Sequence, residues 1–150
     1  MTEFVLQPYV GAIPVTFEMS PADVQQLLGS PARIETNGLG EREEEWHDEK
    51  DWRDSVTVRY SKIDGKVEEI AFLPAAKLIY QGHDLFRDEG VIDFLSQYDI
   101  PYEIVGFVVF LELGITVTGF HDNDESQKAI VVCRKGRFDA FRDELTPLKR

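Results

Sequence analysis

Apolar side chains in "FEMSPADVQQLLGSP", Phe17 to Pro31, fall at Val24, Leu27 and Leu28, the i, i+3, i+4 stripe of an amphipathic helix. Ser20 stands where an N-cap is needed, and Pro21 takes the first helical position, where its missing N–H costs nothing. Asp23 occupies the third position, a capping box with Asp in place of the usual Glu. Met19 and Val24 are spaced as a hydrophobic staple, and Gly29 followed by Pro31 ends the element. Nothing polar here is arranged for chemistry, so the unit reads as architecture.

Downstream the period changes from 3.6 to 2. In "VTVRY", Val56, Val58 and Tyr60 alternate with Thr57 and Arg59, and Asp64-Gly65 is a turn signal before the returning arm "KVEEIAFL". "RIETN" and "EREEEWHD" suggest another strand pair around Asn37-Gly38. The second half predicts the same order. A helix over "DLFRDEGVIDFLSQYD" is followed by two strands in "YEIVGFVVFLELGITVTGF", meeting around Glu112 to Gly114. A polar turn "HDNDESQ", a strand "KAIVVCRKG" and a short closing helix in "RFDAFRDELTPLKR" complete it. Antiparallel strands with few helices predict an α+β fold: an antiparallel sheet with helices packed on one face and the other face open for binding. One domain over 1–150 is expected, with tandem α-β-β(-β) halves at 12–80 and 81–141.

The composition suits a folded globule: 150 residues, 43% hydrophobic and 11% aromatic. No apolar run approaches the ~20 residues of a membrane span, and "MTEFVLQPYVG" carries no leader pattern, so no membrane partner and a cytoplasmic location are expected. The formal net charge of −12 disfavours nucleic acid and would speed association with a basic partner, although solubility alone also explains it. The single cysteine, Cys133, excludes an internal disulfide and reads as a small buried apolar residue.

Between Glu41 and Asp54 eight acidic side chains face three basic ones, with Trp46 and Trp52 among them. Such a run is either a solvated face or a contact surface in which Trp anchors and acids orient. The two tryptophans share parity, so an unbroken strand would put both on one face, outward or into a core. His47 with its acidic neighbours lacks metal-ligand spacing, and His121 to Glu125 lacks the spacing and central glycine of a calcium loop. His83 beside Asp84 is a weak acid/base pair, with Asp84 better placed as a helix cap. No nucleophile motif or phosphate loop is present, so no catalytic residue, metal or cofactor is assigned.

The opening "FEMSPADVQQLLGSP" resembles a motif of small bacterial proteins, including immunity proteins of toxin systems and beta-lactamase inhibitor protein-like modules of tandem helix-plus-sheet units. A related pattern opens outer-membrane assembly lipoproteins; with no signal-peptide pattern or lipid-attachment cysteine in its opening residues, this chain is expected to depart from that branch. The ending "GITVTGFHDNDESQKAIVVCRKGRFDAF" is similar to the tail of cytoplasmic immunity-type proteins. The resemblance implies a non-catalytic inhibitor that occludes the active site of a cognate protein toxin, such as a basic nuclease domain. It implies contacts through Glu43, Glu44, Glu45, Trp46, Asp48, Glu49, Asp51 and Trp52, then Tyr98, Tyr102, Asp122, Asp124 and Glu125. Two other readings stand beside it: a small-ligand or enzymatic α+β domain, and an adaptor that self-associates through an edge strand.

Overall fold

The computed structural model describes residues 3–48, 51–120 and 127–148, with side chains at all of these except 48 and 51–55. Strands β1 (Glu3–Gln7), β2 (Gly11–Ile13) and β3 (Val15–Thr16) precede helix α1 (Pro21–Leu28). Four strands follow: β4 (Arg33–Thr36), β5 (Arg42–Asp48), β6 (Asp51–Tyr60) and β7 (Val67–Phe72). After β8 (Lys77–Tyr80) and β9 (His83–Asp84) comes helix α2 (Val91–Leu95), then β10 (Pro101–Ile104), β11 (Phe107–Phe110), β12 (Ile115–Thr118) and β13 (Ala129–Cys133). A 3-10 turn at Arg142–Glu144 leads into β14 (Thr146–Pro147).

The fold is α+β. A large sheet has the order β14-β10-β11-β12-β13-β7-β6-β5-β4, and a smaller one the order β3-β2-β1-β8-β9. In the large sheet α1 is followed by the meander β4 to β7, and α2 by the meander β10 to β13. The last strands of the two meanders, β7 and β13, pair antiparallel at the centre with Val131 opposite Ala71. The smaller sheet is mixed, since β1 pairs parallel with β8.

Alternation along these strands divides the large sheet into two unlike faces. One presents Val56, Val58, Tyr60, Ile70, Phe72, Ile130, Val132, Ile115, Val117, Val108 and Phe110, all buried. Val24 of α1, Val91 and Leu95 of α2, and Phe4, Leu6 and Leu78 of the smaller sheet join them in one core. Phe4 and Phe72 meet edge-to-face at 4.9 Å, fixing the smaller sheet against the larger. Both helices and the smaller sheet therefore cover the same face.

Helix α1 forms as its sequence predicts. The Ser20 side chain accepts from the Asp23 backbone N–H at 3.3 Å, and the Asp23 carboxylate accepts from the Ser20 N–H at 3.1 Å. Its C-terminal Gly29 adopts φ 85° and donates back to Gln25. The hairpin at Asp64-Gly65 and the β4–β5 pair around Asn37-Gly38 also stand where expected.

The second half departs from expectation in three places. Only Val91–Leu95 of the expected helix is helical, because the Asp84 carboxylate accepts from the N–H groups of Phe86 and Arg87 and closes a local turn first. Gly90, left-handed at φ 67°, separates that turn from α2. The segment expected as two strands is three, because a two-residue turn at Val105-Gly106 splits it. The closing helix is a single 3-10 turn, and β14 pairs instead with β10. The strands before α1 carried no expectation.

The Val105-Gly106 turn has φ 44° and 83° at its two central residues, the geometry of a tight hairpin that favours Asn-Gly. A β-branched residue there is strained by about 1–3 kcal/mol. Val105 is nonetheless 90% exposed, so nothing in the chain gains from its side chain.

The cap gives a direct check of the helix assignment. Ser20→Ala should lower unfolding free energy by about 1 kcal/mol in urea titration without changing the slope. A loss below a few tenths would mean that packing of Val24 alone holds α1.

Candidate functional site

The second face of the large sheet is the candidate site. Register places Thr57, Ala71, Val131, Thr116, Val109 and Tyr102 in one row across β6, β7, β13, β12, β11 and β10. Ala129 and Thr118 lie beside this row on the same face. Thr57, Ala71, Ala129, Val131, Thr116 and Thr118 are small or β-branched, and each keeps part of its surface in solvent. Helices α1 and α2 and the smaller sheet pack on the other face, and on this side the described residues place the 3-10 turn, flanked by Phe141 and Leu145.

One margin of the face is covered by the chain after β13. Phe138 is buried on Val109 and Cys133, with Ile104, Leu111, Val131, Phe141 and Leu145 around them. Burial pushes the Cys133 thiol well above its ordinary range, so it acts as an apolar residue.

A chain of alternating charges holds that segment down. Arg137 donates to Glu41 at 2.7 and 3.1 Å and to Glu69 at 2.5 Å. Arg59 donates to the other side of Glu69 at 2.7 Å and to Glu43. Burial opposes ionisation of Glu41, but the hydrogen bonds from Arg137 and Asn37 and the charge of Arg137 outweigh it, so its carboxyl titrates below the ordinary range. Farther out, Arg134 binds Asp64 at 2.7 Å, and this hydrogen bond, with one from the Lys66 backbone N–H, lowers the Asp64 carboxyl to about 2. Burial pushes Glu68, next to Glu69, the other way, above its ordinary value.

The acidic segment is thus far less free than its composition suggested. Glu43 lies on the open face but is tied to Arg59, and Glu45 shares that face. Glu44 is a correction: it points into the core face, is fully buried, and accepts from Tyr60 at 3.0 Å, Gln25 at 3.0 Å and Arg42 at 2.8 Å. Burial, with the adjacent Glu44 carboxylate, raises the Tyr60 hydroxyl out of its ordinary range and keeps it a donor. Trp46 shares the core face, half-buried, and its indole N–H donates to the Gly29 carbonyl at 3.0 Å, tying the end of α1 to β5. These two residues link helix to sheet. Glu44 was expected at the surface, and Trp46 either there or in a core, because sequence parity groups neighbours without saying which face is inside.

Tyr98 is 43% exposed and packs edge-to-face on Tyr80 and Phe94, away from the open face. Tyr102 stands on the open face between Val109 and Pro147. Asp48 and Asp51 face each other at the far end of β5 and β6, where the backbone alone is described. Trp52 lies in β6, its side chain outside the described set, and Glu49, Asp122, Asp124 and Glu125 fall outside the described residues. Among the described residues, no group of three His, Cys, Asp or Glu side chains is placed to hold a metal, and no helix is long and apolar enough to cross a membrane.

The charge chain predicts an acid-sensitive fold. Glu41 and Asp64 titrate lower folded than unfolded, so their stabilisation is complete above about pH 4.5 and lost as pH falls towards 2. Glu68 works in the opposite sense and offsets part of the loss. Arg137→Met should cost about 2–3 kcal/mol at pH 7, below the ~3–5 kcal/mol of a fully buried pair because the guanidinium is partly exposed. That deficit should shrink towards pH 2 in denaturant titrations; a pH-independent deficit would mean that Arg137 contributes packing alone. Comparison with protein-family models, curated proteins and solved structures finds no match to this chain.

Proposed function

We propose that this chain is a non-catalytic binding protein that neutralises a cognate protein toxin by occluding its active site, with a basic nuclease domain as the partner class. The observation that carries the reading is the open face of the large sheet. A soluble sheet normally covers an apolar face or lines a solvated one with long polar side chains. Here the centre is instead a flat row of small side chains, Thr57, Ala71, Val131 and Thr116, that leaves room for another surface to approach the backbone closely. Rigid strands hold that surface, which lowers the ordering cost of association.

The charge supports a basic partner. Arg59 and Arg137 neutralise the acids nearest the row, so attraction comes from the whole-molecule excess of −12 rather than from one local patch. A nuclease must present cations to phosphate, so an acidic body seated on that site gains association rate. Glu43, Glu45, Tyr102 and the margins of the row are the contacts this reading retains. Glu44 and Trp46 belong to the fold.

Thr57→Arg and Thr116→Arg test the reading together with purification of the full chain from cells that make it. The wild type should retain a basic protein in stoichiometric amount and suppress that protein's activity. Each variant should bind it at least tenfold more weakly, about 1.4 kcal/mol, with stability within about 0.5 kcal/mol of the wild type. Undiminished binding by both variants would remove the open face from the account. Trp46→Ala should lower stability by about 1–3 kcal/mol, less than a fully buried Trp because the ring is half-exposed, and change affinity only through loss of folded chain.

A further inference from the structure

The hairpin between β10 and β11 carries a local conflict that the fold does not resolve. Val105 occupies the left-handed position of a tight turn, at φ 44°, where Asn or Gly would sit without strain. Its side chain gains nothing in exchange within the chain, being 90% exposed. Phe107, on the next strand and directly across from Ile104, leaves 45% of its surface in solvent. Together they form an apolar prong at one end of the sheet.

A shallow cleft of about 360 Å³ adjoins the prong, lined by Glu103, Ile104, Val105, Gly106, Glu144 and Thr146. Neither Glu103 nor Glu144 forms an ion pair among the described residues. Two carboxylates beside an exposed apolar tip would repel a second copy of the same tip and would attract a cationic rim. Phe107 and Ile104 share the face that carries Tyr102 and Thr116, so the prong continues the open face beyond its edge.

We propose that Val105 and Phe107 form an insertion prong that enters an apolar depression on a basic protein, whose cationic rim meets Glu103 and Glu144. This rests on the proposed binding of a basic protein and adds to the open face a second, apolar anchor. Anchors of this kind, fully desolvated on binding, dominate affinity and act mainly on dissociation.

The test uses photo-crosslinking in cells that make the chain. The full chain carries p-benzoylphenylalanine in place of Val105, Thr116 or Ile63; Ile63 is a turn residue elsewhere that is equally exposed, at 91%. Labels at positions 105 and 116 should both join the same basic protein, and the label at 63 should not. Val105→Asn should then bind that purified protein at least tenfold more weakly, with faster dissociation, while the chain melts a few degrees higher because the turn strain is relieved. Crosslinking at 116 alone, or unchanged affinity of Val105→Asn, overturns the prong and leaves the open-face reading standing. Crosslinking at 105 alone supports the prong and removes the open face, whereas failure at both positions overturns both. Equal labelling at 63, an acidic partner, a second copy of the chain or a lower melting temperature for Val105→Asn would each overturn the prong.

Discussion

The antiparallel pairing of β7 with β13 is the constraint from which the rest follows. Because Ala71 lies opposite Val131, Ile70 and Phe72 share one side with Ile130 and Val132, while Glu69 shares the other with Cys133. Large apolar side chains from both meanders are thereby gathered on a single face, and one core serves both helices and both sheets. A slip of one residue would turn Glu69 inward and Phe72 outward, so burial itself enforces the register. The open face is the complement of that choice: its centre keeps the small side chains of Thr57, Ala71 and Thr116, and its large apolar side chains, Tyr102, Ile104 and Phe107, stand towards the β10–β11 end.

How much of the open face stays accessible is decided by electrostatics. The residues after β13 fold back over Val109 and Cys133, and the run of Glu41, Arg137, Glu69, Arg59 and Glu43 stops them on one margin. The same arginines neutralise acids that would otherwise crowd the sheet, so a charge-rich sequence yields a nearly neutral margin beside a row of small side chains. Glu44 illustrates the other solution available to a carboxylate in a sheet. It is buried outright, and three donors satisfy it.

The parts of this fold that were legible in the sequence are those set by local chemistry. Ser20, Pro21, Asp23 and Gly29 define α1 through interactions within a few residues, and Asp64-Gly65 defines its hairpin in the same way. Strands β1 and β8 show alternation in "EFVLQ" and "KLIY", with Phe4, Leu6, Leu78 and Tyr80 inward, and that signal could have found them. What could not be read is what depends on partners distant in sequence. Arg137 meets Glu41 across most of the chain, and with Arg59 on Glu43 and Arg42 on Glu44 it pairs three carboxylates of the acidic segment. The turn at Val105 was illegible for the opposite reason, since its residue type contradicts its conformation. A local rule broken without intrachain compensation is where a partner's requirements are best sought.

On the proposed reading, the open face and the adjoining hairpin together receive a basic protein. The most direct measurement is methyl NMR of the full chain, titrated with the basic protein that co-purifies with it. The account predicts that perturbed methyl signals cluster on Ala71, Ala129, Val131, Thr116 and Val105, while Val24, Leu78 and Leu95 in the core stay in place. Perturbation centred instead on α1 around Leu27, or on the turn at Ile63, with the row from Ala71 to Thr116 unmoved, would contradict it.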